Sequence, residues 1–210
     1  MSASSRMARL LEHPAIWRGR SAARADVLPT GFAALDECLP GGGWPRTGLI
    51  ELLIPRLGVG ELYLFMPALA ALTHRSCARW CAWISPPFVP FAPALAAHGV
   101  AVERVLVVQA PRALWALEQA LGSGACDAVL AWARSLPARE VRRLQLAAER
   151  GRTLGILFRP RRAAREPSCA VLRARLEPAG QDGLAGQFTL LKSRGGLHRP
   201  IRLVWPSARI

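Results

Sequence analysis

The turn after residues 48–54, a predicted buried strand, is where a nucleotide-binding chain would hold phosphate. A phosphate-binding loop reads G-x-x-x-x-G-K-[ST]: its backbone amides and lysine hold phosphates, and its hydroxyl holds magnesium. In this chain the four fixed positions of that pattern are occupied by Ile54, Val59, Gly60 and Glu61. Because Lys192 is the only lysine in the sequence, no shifted frame supplies the missing cation. The loop is therefore predicted to be degenerate.

Glu61 gives the degenerate loop a different chemistry. Gly58 and Gly60 flank Val59, and residues 61–73 are predicted to be an apolar helix, so we expect the Glu61 carboxylate to rest where a phosphate would bind. Arg56 would either offer charge to a nucleotide or be a surface arginine. We therefore predict no nucleotide hydrolysis, no catalytic residue and no cofactor. A weak ATPase with divergent residues stays open as an alternative.

The other positions that an ATPase of this layout needs are also filled by unsuitable residues. An acidic residue that organises the metal would end the strand predicted at 125–132, but the residue there is Trp132, and Asp127 lies at the opposite end. The strand predicted at 78–84 would be followed by a glutamate base, and it runs instead into Ser85. None of the catalytic positions that can be checked therefore carries the residue that ATP hydrolysis needs.

Strand-like and helix-like segments alternate along most of the chain. This rhythm is typical of βαβ units, so we predict an α/β fold with a mainly parallel sheet and helices on both faces. Beyond residue 165, three strands follow without helices between them and are predicted to be antiparallel strands on one edge of the sheet. The predicted strands are 48–54, 78–84, 105–109, 125–132, 153–158, 170–176, 187–192 and 200–205; the predicted helices are 61–73, 90–98, 111–121 and 137–150.

The composition indicates a globular chain with ample material for a core. Of 210 residues, 51% are hydrophobic and 20% are charged. The longest apolar run, residues 62–72, is shorter than the ~20 residues of a membrane span, and the N-terminus lacks the apolar segment of a secretory signal. We therefore expect a soluble cytoplasmic protein. Cys77 and Cys81 have no second cysteine or histidine pair at zinc spacing, so no metal site is expected.

Positive charge is concentrated in the last third of the sequence. The net charge is +14, and residues 134–210 hold 17 of the 28 basic residues but only five of the 14 acidic ones. Such a distribution fits a polyanion such as nucleic acid, or an acidic partner surface. An arginine-rich solvated face is the alternative interpretation.

Three segments of the sequence together resemble a known group of proteins. Residues 28–51 read LPTGFAALDECLPGGGWPRTGLIE, residues 58–62 read GVGEL before the apolar helix, and residues 190–196 read LLKSRGG. The first segment resembles the opening of the RecA-type recombinase core, and the other two resemble the ImuA family of RecA-like accessory proteins. The resemblance implies a RecA-like domain over residues 28–205 without a functional phosphate loop, between a basic arm at 1–27 and a tail at 206–210.

The resemblance also implies a role. ImuA proteins belong to the SOS response and to mutagenic translesion synthesis, beside ImuB, a polymerase-like protein of the Y family, and an error-prone C-family DNA polymerase. Contact with RecA and with DNA would follow. Related sequences have been labelled SulA-like, and SulA, an SOS inhibitor of the tubulin-like division protein FtsZ, also lacks the phosphate loop. The leading hypothesis is thus a non-catalytic DNA-damage tolerance factor, and the alternative is a SulA-type division inhibitor.

Two basic segments are the candidate DNA-binding sites. Four arginines fall within eight residues after the strand predicted at 153–158, and in RecA-like proteins the loops from this part of the sheet face DNA. The second segment precedes a Gly-Gly pair and resembles the finger that RecA-like proteins project toward a neighbour or DNA. A solvated loop and an ordinary strand end are the respective alternatives. The candidate residues are Arg159, Arg161, Arg162, Arg165, Lys192 and Arg194.

Four apolar residues near the chain ends are candidate partner contacts. RecA-like proteins commonly dock a neighbour through a short N-terminal segment, which makes Leu10, Leu11 and Trp17 candidates. Trp205, near the C-terminus, is the fourth, because tryptophan is enriched in the cores of interfaces.

Overall fold

The structure, a computed structural model, describes residues 26–180, 183–193, 195–196 and 199–205. The predicted basic arm lies outside the described residues except for its last two positions, and the tail at 206–210 lies outside them entirely. Four candidate site residues also fall there, so the predictions made for them stay predictions: Leu10, Leu11, Trp17 and Arg194.

An eight-stranded sheet forms the centre of the molecule. Its order is β10-β9-β8-β3-β7-β6-β4-β5, and the six strands from β8 to β5 are parallel. β9 and β10 pair antiparallel at one edge, as predicted. The first of the three strands predicted to be antiparallel, β8, is instead parallel to β3, because residues 161–171 carry the chain back to the amino end of the sheet before β8 begins. The strands are β1 (Val27–Leu28), β2 (Trp44–Pro45), β3 (Gly48–Ile54), β4 (Trp80–Ile84), β5 (Val105–Val108), β6 (Cys126–Trp132), β7 (Leu154–Pro160), β8 (Leu172–Pro178), β9 (Ala185–Lys192) and β10 (Pro200–Val204), with β1 and β2 forming a separate two-stranded ribbon.

Helices cover both faces of the sheet, as the alternating pattern predicted. They are α1 (Ala33–Asp36), α2 (Met66–Thr73), α3 (Ala92–Ala97), α4 (Ala113–Gly122) and α5 (Ala138–Gly151). Alternate residues of β3 point to opposite sides: Ile50 packs in the cluster that contains α2, here called the first face, and Leu49 packs with α4 and α5 on the second face. None of the helices that the structure describes has both the length and the apolar character to cross a membrane.

The helix predicted at 61–73 begins later than the sequence pattern indicated. It starts at Met66, and the preceding residues form turns in which the Leu64 amide donates to the Gly60 carbonyl oxygen. Proline lacks an amide hydrogen and has a fixed φ, so it is favoured in the first turn of a helix. Pro67 stands in that first turn and is the signal that places the start.

Candidate functional site

The loop that follows β3 closes on its own glutamate. Oε1 of Glu61 accepts a hydrogen bond of 3.0 Å from the Gly58 amide, and Oε2 accepts one of 2.9 Å from the Val59 amide. These are amides of the loop that would hold phosphate in a nucleotide-binding chain. Because Glu61 is also 95% buried, an incoming phosphate would have to displace an internal carboxylate from its two donors.

Trp205 covers the same loop and is not available as an exposed partner anchor. It is only 4% exposed, its amide donates to the Leu184 carbonyl oxygen, and its ring stacks with Tyr63 at a centroid distance of 6.2 Å. A Cβ atom placed on Gly60 would lie 2.3 Å from the indole. The prediction that Trp205 contacts a partner is therefore wrong. Its buried side chain instead fills the space beside Gly60, which has no side chain of its own.

Beside this loop a cleft of about 720 Å³ opens at the carboxyl edge of the parallel strands. The residues that end or follow β3, β4, β6 and β7 line it, and no aspartate or glutamate is among the described residues of the lining. Four arginines line it: Arg56, Arg134 and Arg162 come from three different connections and are exposed, whereas Arg159 is buried. Its lining includes Arg56, Ser85, Trp132, Arg134, Phe158 and Arg162.

The order of the strands explains why these residues meet. After β3 the chain crosses to α2 on the first face, whereas after β6 it crosses to α5 on the second face. In open parallel sheets, connections that leave toward opposite faces create a crevice outside the carboxyl ends of the strands, and ligands bind there. Arg134 and Trp132 were not among the candidate binding residues of the sequence, because their proximity to Arg56 arises only from this strand order.

The floor of the cleft is aromatic. Trp132 stacks on Phe158 at a centroid distance of 5.0 Å and an interplanar angle of 25°, and it contacts the Trp83 ring at 5.8 Å. Trp132 stands where an ATPase would carry its metal-organising acid, so the cleft has an indole in place of a carboxylate. Ser85, on the wall, has φ of +45°, a conformation that non-glycine residues adopt uncommonly and that recurs at functional sites.

Arg159 is not a surface residue, which corrects its assignment as a DNA-binding arginine. Its side chain is fully buried and donates to Glu51 at 2.7 Å, to Glu166 at 2.6 Å and to the Leu136 carbonyl oxygen at 3.1 Å. Glu51, also fully buried, forms a second ion pair of 3.0 Å with Arg173. A buried guanidinium needs such partners because burial of an unpaired charge is very costly. The side chain therefore has no face left for a phosphate.

The structure separates the remaining candidate DNA-binding residues. Arg161, Arg162 and Arg165 lie on a short 3-10 helix that follows β7, and all three are exposed. Arg162 lines the cleft, whereas Arg161 pairs with Glu177 at 3.4 Å. Lys192 ends β9, which runs antiparallel to β8. It therefore lies beside the start of β8, at the amino ends of the parallel strands, whereas the cleft lies at their carboxyl ends. It cannot contribute to the same site as Arg162.

The amino edge of the sheet contains a second polar cluster, centred on Asp127. This buried carboxylate accepts from the backbone amide of Arg79 at 2.7 Å and from its Nε at 3.1 Å, and Arg75 pairs with it at 3.4 Å. Asp127 is thus occupied far from the cleft.

Nearby, burial raises the pKa of the Cys81 thiol to about 12. Within the described ranges, no group of three or more His, Cys, Asp or Glu residues is placed to hold a metal ion.

Comparison with known proteins shows the family. A family model described as "Cell division inhibitor SulA" matches residues 57–155. The chain is 40% identical over 124 residues to the cell division inhibitor SulA of Edwardsiella piscicida, which covers 55% of this chain and 70% of that protein. It is 32% identical over 102 residues to the SulA protein of Photorhabdus laumondii, covering 47% and 58% of the two chains. The chain therefore belongs to the SulA family.

The chain is also similar to an ImuA protein and to a solved structure of SulA. The chain is 30% identical over 169 residues to Protein ImuA of Caulobacter vibrioides, covering 73% of this chain and 69% of that protein. A crystal structure of SulA from Pseudomonas aeruginosa is 29% identical, with a TM-score of 0.45, covering 53% of this chain and 97% of the other. The similarity to ImuA is weaker in identity than that to SulA and longer in extent.

Proposed function

We propose that this protein acts by binding and not by catalysis, as a SulA-type cell division inhibitor in the cytoplasm. The observation that carries the proposal is the closed loop after β3, in which Glu61 takes the amides of Gly58 and Val59. A loop whose phosphate-binding amides donate instead to a carboxylate of the same protein supports a role without nucleotide turnover. The 40% identity to a cell division inhibitor supports the kind of role.

The partner in this proposal is FtsZ, the tubulin-like division protein on which SulA acts. A candidate contact surface is the segment that follows β4, here called the aromatic loop. Phe88, Val89 and Phe91 are 72%, 89% and 70% exposed there, and all lie within the residues that the SulA family model matches. Large apolar side chains exposed together are typical of protein interaction sites, whose cores are enriched in aromatic residues.

Sedimentation of assembled FtsZ tests this proposal. The purified protein is expected to reduce the pelleted fraction of FtsZ near one-to-one stoichiometry. The double variant Phe88→Ser/Phe91→Ser is expected to weaken inhibition at least tenfold while leaving the unfolding midpoint unchanged, because both side chains are solvated. The matched control is Leu146→Ser, which removes another exposed apolar side chain on α5. Wild-type protein that leaves FtsZ assembly unaffected would reject the proposal.

A second candidate function is ImuA-type participation in SOS-induced translesion synthesis, on a RecA-like core. One observation favours it: the similarity to Protein ImuA spans 169 residues and 73% of the chain, against 124 residues for SulA. The antiparallel pair β9 and β10 beside six parallel strands is consistent with the RecA-like core that the sequence resemblance implies. Its partners would be ImuB, the error-prone C-family polymerase, RecA and DNA.

Affinity purification from cells under DNA damage separates the two candidates. A tagged copy of the chain is expected to retain FtsZ if it acts as SulA does, and to retain ImuB and the polymerase if it acts as ImuA does. The Phe88→Ser/Phe91→Ser variant serves as the control for specific capture. FtsZ lost with this variant supports the first proposal, and FtsZ retained equally by both contradicts the assignment of the aromatic loop.

A further inference from the structure

We infer that the cleft at the carboxyl edge binds single-stranded nucleic acid, with phosphates on Arg56, Arg134 and Arg162 and a base packed against the indole of Trp132. This site adjoins the start of the aromatic loop, whose Ser85 lies on the wall, but it uses none of the exposed side chains Phe88, Val89 and Phe91 and does not depend on the binding of FtsZ. It shares only Arg162 with the basic segment of the sequence, since Arg56 and Arg134 come from the connections after β3 and β6.

Charge is the first support for this site. Arg56, Arg134 and Arg162 all line the cleft, and no carboxylate lines it in the part of the chain that the structure describes. Among the described residues none of the three forms an ion pair, whereas nearby Arg161 does. Arg162 gives one guanidinium N–H to the Arg134 carbonyl oxygen at 3.2 Å. Guanidinium groups without a carboxylate partner keep their remaining donors for an external anion, and their planar geometry matches the oxygen atoms of a phosphate.

The aromatic floor of the cleft favours nucleic acid over an acidic peptide as the bound anion. Single-stranded nucleic acid is bound where a positively charged groove tracks the backbone and aromatic side chains support the bases. Trp132 lines the cleft and is held in place by Phe158 and Trp83. An acidic peptide would satisfy the three arginines but would make no specific use of this indole. The combination of charge and aromatic surface therefore favours nucleic acid.

The state of the neighbouring loop argues against a free nucleoside triphosphate. A triphosphate is normally cradled by consecutive loop amides, and here Glu61 accepts from the Gly58 and Val59 amides. The arginines stand instead at separate connections around the cleft. Separate cations suit the repeating phosphates of a strand better than the adjacent phosphates of one nucleotide.

Fluorescence anisotropy with labelled oligo(dT) of about 15 nucleotides, near the upper end of the site sizes of single-strand binding folds, tests the site. The triple variant Arg56→Ala/Arg134→Ala/Arg162→Ala is compared with Arg104→Ala/Arg142→Ala/Arg202→Ala, which removes the same charge from exposed positions outside the cleft. The cleft variant is expected to bind at least tenfold more weakly. Its log–log salt slope should fall by about 2, because each phosphate contact on a single strand contributes about 0.7. The control triple should stay within twofold of wild type.

A second pair of variants tests the role of the indole. Trp132→Leu keeps the apolar volume but removes the aromatic ring, and is expected to weaken oligo(dT) binding about fivefold or more, whereas Trp132→Phe should stay close to wild type. Equal losses in the two arginine triples would overturn the inference, because binding would then follow net charge alone. Competition by a poly-glutamate peptide as strong as that by unlabelled oligo(dT), or displacement by ATP at equal phosphate concentration, would also overturn it.

Discussion

The indole of Trp205 lies against the backbone of Gly60. A methyl group at Gly60 would approach Cε2 of Trp205 to 2.3 Å, and the glycine has φ of +91°. The end of β10 and the loop after β3 thus close on each other, while the Glu61 carboxylate takes the amides of the same loop. The part of the fold that would bind phosphate in a nucleotide-using relative is occupied from within the protein.

The contact between Gly60 and Trp205 predicts a large difference between two glycine substitutions. Gly60→Ala and Gly58→Ala both place a side chain at positive φ, but Gly58 faces open space. We expect Gly60→Ala to lower the free energy of unfolding by about 1–3 kcal/mol more than Gly58→Ala does, since overpacking adds to the shared backbone strain. Urea unfolding of the two variants measures this difference. Equal losses would show that Trp205 does not press on Gly60.

The carboxylate of Glu61 is expected to stabilise the loop by accepting its two amides. Glu61→Ala leaves the Gly58 and Val59 amides without this acceptor, which we expect to cost about 1–3 kcal/mol. Glu61→Gln keeps one acceptor oxygen and should lose less. Glu103→Ala, at an exposed position, is the control and should change the unfolding free energy by less than about 0.5 kcal/mol. A neutral Glu61→Ala variant would contradict the internal-carboxylate interpretation.

Two glutamates that contact Arg159 should differ strongly in their effect on stability. Glu51 is fully buried between Arg159 and Arg173, whereas the side chain of Glu166 is 42% exposed. Glu51→Ala leaves two buried guanidinium groups short of a counter-charge and is expected to cost about 3–5 kcal/mol. Glu166→Ala should cost about 1 kcal/mol, because water can replace its carboxylate. Thermal and urea unfolding would measure both, and similar losses would contradict this ranking.

The buried thiol of Cys81 predicts a loss of stability in alkali. Its folded pKa is raised from 9.0 to about 12 by burial, so the unfolded chain releases this proton first as the pH rises. The contribution of Cys81 is therefore fully present below pH 9 and is lost between about pH 9 and 12, at up to about 1.4 kcal/mol per pH unit. Cys81→Ala should show a shallower decline over the same range. Parallel pH profiles for the two proteins would contradict the assignment.

Much of the sheet could be predicted from the sequence because its signals are local. β3 and β6 are runs of apolar residues bounded by turn residues, and α5 has polar and apolar positions at helical spacing, so their positions follow from periodicity. The start of α2 was missed because the pattern continues through residues 61–65. The absence of helices after residue 165 correctly predicted that β9 and β10 are antiparallel, but it was misleading for β8, which is parallel to β3 without an α-helix in its connection.

The site could be predicted only in part, because its residues meet through strand order. Glu61 and the amides it accepts are neighbours in sequence, which is why the closed loop could be anticipated. Arg159, by contrast, is paired with Glu51, which is 108 residues away, and local charge density does not reveal a distant buried carboxylate. Trp205 was misjudged for the same reason, since its contact with Gly60 is not encoded in either local segment.

The most direct test of the account is the inhibition of FtsZ assembly measured with and without ATP. A protein whose phosphate loop is closed by Glu61 should act by binding alone, so the purified chain is expected to inhibit assembly at near-stoichiometric concentration and to the same extent in both conditions. FtsZ alone with ATP is the control. Inhibition that appears only when ATP is present, or assembly that proceeds unchanged in both conditions, would contradict the account.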